Sequence, residues 1–142
     1  MQLKTEPILL LFFVLAVTTS NVFSQDVAAR MDAFNEAIGK EYIVSNKGKI
    51  LVIEGFREGK QVKTDKVNVF DLDFETLKYS ENDETVSVNC HSDLDGCVNR
   101  VLHLNKKKSY RQRVVFGIAD GISGEEIAEK LRMLLNDMAK KY

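Results

Sequence analysis

The first periodic signal in the chain is helical. Val27, Met31, Phe34 and Ile38 recur at steps of four, three and four residues, and Gly39 follows them. That spacing stacks the four on one face and predicts a short amphipathic helix over 26–38, stopped by the glycine. From Tyr42 onward the period falls to two. Alternation predicts seven strands: Tyr42–Ser45, Lys49–Phe56, Gln61–Phe70, Glu75–Ser80, Glu84–Cys90, Cys97–Leu104 and Tyr110–Ala119. Turn formers separate them, among them Asn46-Lys47-Gly48, Glu58-Gly59-Lys60, Glu81-Asn82-Asp83 and the loop His91–Gly96. Short strands with short polar turns predict an antiparallel meander, not alternating βαβ units. The clearest element comes last. Ser123 and Glu126 form a capping-box pair, and Ile127, Leu131, Leu134, Leu135 and Met138 make one apolar stripe on a helix over 124–141. The expected class is α+β, a seven-stranded meander closed by a C-terminal amphipathic helix, with a short helix in front.

Residues 1 to 24 follow a different pattern. Lys4 precedes an apolar run from Ile8 to Val17, and small polar residues come after it. This is the layout of a secretory signal peptide, and the run is too short for a bilayer core, which needs roughly 20 residues. Cleavage is expected after Ser24, leaving a single globular domain over 25–142. The longest strongly apolar stretch beyond the leader is Ile50–Ile53, so an integral membrane protein is not expected. The expected location is a bacterial periplasm or the extracellular space. No Asn-x-Ser/Thr occurs, so N-glycosylation is not expected.

Seven strands in meander order, followed by one amphipathic helix, resemble the pleckstrin-homology-like (PH-like) barrel, here in the setting of a small exported bacterial protein. The resemblance covers about residues 42 to 141 and rests on element order. The chain has no tryptophan, whereas the final helix of eukaryotic PH domains usually carries one. The resemblance implies two bent sheets packed at a steep angle, with the helix plugging an open corner. It also implies a binding or scaffolding module more often than an enzyme, although fold alone assigns no function.

Charge sharpens the picture. Lys and Arg total 20 against 21 Asp and Glu, a net charge of −1, so generic affinity for nucleic acid is not expected. The balance conceals two opposed blocks. Asp71 to Asp95 holds eight acids and one base, Lys78, whereas Gly96 to Arg113 holds Arg100, Lys106, Lys107, Lys108, Arg111 and Arg113 with no acid. Arg111 and Arg113 alternate with Gln112, which predicts both guanidiniums on one side of the last strand. Arginine pairs bidentately with oxyanions, so these six residues are the candidate partner-binding set, for an acidic protein, a glycan or a lipid headgroup. The bland reading is that the two blocks neutralise each other across neighbouring strands, worth up to about 1 kcal/mol per pair, or simply face water.

Other chemistry is thin. Cys90 and Cys97 are the only cysteines, and export favours a disulfide closing the intervening loop. In the alternation Cys97 points away from Cys90, so the pairing needs a bulge or irregular loop end. His91 and His103 do not complete a common zinc spacing, and the Asp93-Leu94-Asp95-Gly96 stretch lacks the terminal carboxylates of a calcium loop. No nucleophile elbow, phosphate loop or His-Glu-x-x-His occurs. No catalytic residue, metal or cofactor is therefore expected. The leading functional expectation is a small exported, non-enzymatic binding or interaction module that meets an anionic partner through the basic surface. The alternative is a carrier of an apolar small molecule held between sheet and helix.

Overall fold

A computed structural model of the chain describes residues 26–142. The expected signal peptide lies outside these residues. The class is α+β: helix α1 at 26–38, eight antiparallel strands, and helix α2 at Gly124–Lys141. The strands are β1 Tyr42–Lys47, β2 Ile50–Arg57, β3 Lys60–Asn68, β4 Leu72–Ser80, β5 Thr85–Cys90, β6 Val98–Leu102, β7 Lys108–Arg111 and β8 Arg113–Gly117. Eight replace the expected seven because the last strand breaks at Gln112 into β7 and β8.

Two sheets result, one in the order β1-β2-β3-β6-β7 and the other in the order β4-β5-β8. The register shows how they arise. β3 pairs with β6 while β4 pairs with β5, and β6 pairs with β7 while β5 pairs with β8. β3 and β4, β5 and β6, and β7 and β8 are thus three long paths of one meander, each bent where it passes between sheets. The bends differ in construction. The first is a single 3₁₀ turn, Val69–Asp71, the second is the loop closed by the cysteines, and the third is Gln112 alone. The corner keeps its backbone partners: Cys90 N–H donates to the Gln112 carbonyl at 2.8 Å and Cys97 N–H to that of Arg111 at 3.1 Å.

Cys90 and Cys97 form the expected disulfide, with Cα atoms 5.8 Å apart. The register problem is solved by the loop. Residues 91–97 leave the ladder, so Cys97 no longer follows the alternation of β6, and both it and Val98 are buried. Gly96 makes this path possible. Its φ of 135° suits glycine, and a Cβ there would stand 3.3 Å from the Arg111 carbonyl oxygen.

Both helices pack by the residues their periodicity marks. Ile127, Leu131, Leu134, Leu135 and Met138 of α2 are fully buried, and α2 lies against β4, β5 and the 3₁₀ turn. The Ser123 side chain accepts from Glu126 N–H at 3.3 Å, satisfying one free donor of the first turn. Phe34 of α1 meets Phe116 of β8 edge-on, with ring centroids 5.3 Å apart. Asn35 performs a second task for α1. Its side-chain amide donates to the Val44 carbonyl at 2.8 Å and accepts from Val44 N–H at 2.7 Å, so it occupies part of the open edge of β1.

Candidate functional site

On β3 the period-two alternation carries Val67, Asp65 and Lys63 on one face. Val67 is part of the core, so the two charged residues continue the core face as it nears the end of the sheet. Asp65 is only 1% exposed. Arg100 stands opposite it on β6 and grips it with two parallel bonds, Nε to Oδ1 and Nη2 to Oδ2, each 2.8 Å. This bidentate geometry is the strongest form of the pair. Its bond to Asp65 holds Arg100 still further into its charged form.

Lys63 reaches the same carboxylate at Oδ2, 3.8 Å away. Its stem lies flat because the facing residue on β2 is Gly55, where a Cβ would come within 2.8 Å of Lys63 Cγ. The ammonium ends 5.8 Å from the centroid of the Tyr42 ring, which stands across Gly55 on β1. Burial pushes the Lys63 ammonium below the usual lysine range, and the nearby Arg100 and Arg111 push the same way against the pull of Asp65. Burial likewise raises the Tyr42 phenol above its ordinary value of 10.0. The Tyr42 hydroxyl accepts from Gly117 N–H at 2.8 Å, joining β1 of the first sheet to β8 of the second.

Where the sheets diverge, these residues face the outward side of β5 and β8 across a cleft of about 1090 Å³. Thr85, Asn89, Arg113, Val115 and Gly117 line it from the second sheet, and the disulfide loop contributes His91, Ser92, Leu94 and Asp95. Lys63, Arg100, Arg111 and Arg113 supply four cations to its wall, against Asp95 as the acid among the lining residues. Asp65, directly behind the wall, neutralises one of the four. Among the described residues, Arg111 and Arg113 have no carboxylate within 4.0 Å. The cleft therefore carries a surplus of positive charge with hydrogen-bond donors aimed by the two sheets.

The structure divides the candidate set. Arg100, Arg111 and Arg113 converge on the cleft, although Arg111 and Arg113 now belong to different strands in different sheets. Lys106 and Lys107 in the turn between β6 and β7, and Lys108 at the start of β7, do not line it and are exposed. Lys63, Asp65 and Tyr42 are the residues that sequence reasoning passed over. Their signal was present, since a Lys-x-Asp-x-Val alternation places two charges on the face that Val67 assigns to the core. His103 bonds Thr64 at 2.8 Å, apart from the cleft. Among the described residues no group of three or more histidine, cysteine or carboxylate side chains comes together in a way that could hold a metal, and no helix is long and apolar enough to cross a membrane. No protein-family model, curated protein or solved structure matches the chain.

Proposed function

We propose that the protein is a small exported binding module, not an enzyme, that takes an oxyanion-bearing partner into the cleft between its two sheets. The observation that carries this reading is the pair of guanidiniums at Arg111 and Arg113, which line the cleft without a carboxylate partner beside Lys63 and Arg100. Donors held in place by a folded sheet lose little freedom when an anion arrives, and guanidinium forks match carboxylate, sulfate and phosphate geometry. Export is supported by the leader pattern and by the Cys90–Cys97 disulfide, which oxidising compartments favour. The proposal extends to the fold, which we read as a PH-like half-barrel: a bent meander with a C-terminal helix across it supports that reading. The apolar-carrier reading has less support. Phe34, Phe116, Leu131, Leu134 and Leu135 fill the space between helices and sheets and are fully buried.

Thermal unfolding in the presence of inorganic phosphate tests the proposal. Phosphate at about a hundred times its dissociation constant adds about 2.7 kcal/mol to stability, so the melting temperature rises by several degrees. Replacing Arg111 and Arg113 together by Gln abolishes the rise, whereas replacing Lys106, Lys107 and Lys108 by Gln leaves it in place. An equal loss in both variants, or no rise in the native protein, contradicts the reading.

A further inference from the structure

A second recess of about 850 Å³ adjoins the cleft and shares Tyr42 and Lys63 with it. Its character is different. Phe56, Val62, Leu102 and Leu104 give it an apolar side, built from the end of β2, the start of β3 and the turn after β6. Leu104 is 99% exposed and Val62 37%, so this apolar surface has no cover within the described residues. The wall is fixed by backbone bonds. His103 N–H donates to the Val62 carbonyl and Leu102 N–H to that of Lys107, each at 2.9 Å.

Lys63 links the two recesses. Its stem crosses Gly55 in the apolar groove, and its ammonium reaches the charged cleft beside Asp65. The side chain itself follows a path that is apolar at one end and cationic at the other. The geometry points to an occupant with the complementary shape: a single-chain anionic amphiphile, its oxyanion among Lys63, Arg100 and Arg111 and its hydrocarbon chain along Phe56, Leu102 and Leu104. A free small anion leaves the groove empty, and an uncharged apolar molecule leaves the arginines unanswered. A recess suits one inserted chain, whereas a bilayer would meet only the protruding turn at Leu104. This inference rests on the oxyanion reading of the cleft and names the class of ligand that the cleft takes.

Calorimetric titration of the folded protein with octyl phosphate below its micelle concentration, with inorganic phosphate and with octanol tests it. Octyl phosphate is expected to bind more tightly than inorganic phosphate by about tenfold or more, from partial burial of its chain, and octanol to give no measurable binding. Replacing the exposed Leu104 by Ser lowers the octyl phosphate affinity by about threefold and leaves inorganic phosphate unchanged. Equal affinity for octyl phosphate and inorganic phosphate overturns the amphiphile inference and leaves the oxyanion reading standing. Binding of neither phosphate overturns both. Octanol binding as well as octyl phosphate, or binding to phosphatidylglycerol vesicles without binding to the monomer, overturns the amphiphile inference.

Discussion

Asp65 lets two cations share the inner end of the cleft. It is 1% exposed, and its two oxygens are taken by Arg100 at 2.8 Å and approached by Lys63 at 3.8 Å. Without it, two poorly solvated positive charges would face each other with no counter-ion, and the lowered pKa of Lys63 already reflects part of that cost. Asp65→Ala is therefore expected to lower the unfolding free energy by about 3–5 kcal/mol, the range for removing one partner of a buried pair. Urea unfolding checks this, and a loss below about 1 kcal/mol would place the pair in the class of exposed salt bridges instead. Arg111 and Arg113 differ in kind. They lack carboxylate partners, so their replacement by Gln is expected to change binding much more than stability. The sequence pointed to these arginines through their position in an acid-free run. Lys63 is marked by its place on the core face of β3, but it lies far from the run, and only the strand pairing brings it beside Arg100.

At the scale of elements, the bends matter more than the strands. Three long paths turn from one sheet to the other, and the cleft opens beside that turn, lined by residues from both sheets. The disulfide closes the loop at the second bend, and Cys90 lines the cleft with His91, Ser92 and Leu94 of that loop. With a sequence separation of 7 between the cysteines, loop-closure entropy gives about 2–3 kcal/mol of stabilisation. Cys90→Ala with Cys97→Ala is expected to lower stability by about that amount, measured by chemical unfolding. An unchanged midpoint and slope would show that the corner is held by its backbone bonds alone. The helices were fully legible, because a 3.6-residue stripe and a cap leave little choice of face. Strand positions were legible within a few residues. The break at Gln112 was not, since no glycine or proline stands between Arg111 and Phe116 to mark the bend. What bends the path is the partner strand, whose disulfide loop interrupts the ladder between Cys90 and Val98.

Across the whole molecule, a net charge of −1 conceals a division between the sheets. β4 and its turns carry much of the acidic block, including Asp71, Asp73, Glu75, Glu81 and Asp83, whereas Arg100, Lys108 and Arg111 lie on β6 and β7 of the other sheet. Direct neutralisation of one block by the other is not what the ion pairs show. Arg100 pairs with Asp65 of β3, and none of the ion pairs among the described residues joins the two blocks. The basic surplus is left facing the cleft and the turn at Lys106–Lys108. The most direct test of which surface receives an anion is a backbone amide titration by nuclear magnetic resonance, adding inorganic phosphate to the folded protein. An oxyanion site in the cleft predicts saturable shifts at Tyr42, Lys63, Asn89, Arg100, Arg111 and Arg113, with little change at Lys106, Lys107 and Lys108. Shifts centred on the lysine turn, or non-saturating drifts across the whole surface, would contradict it.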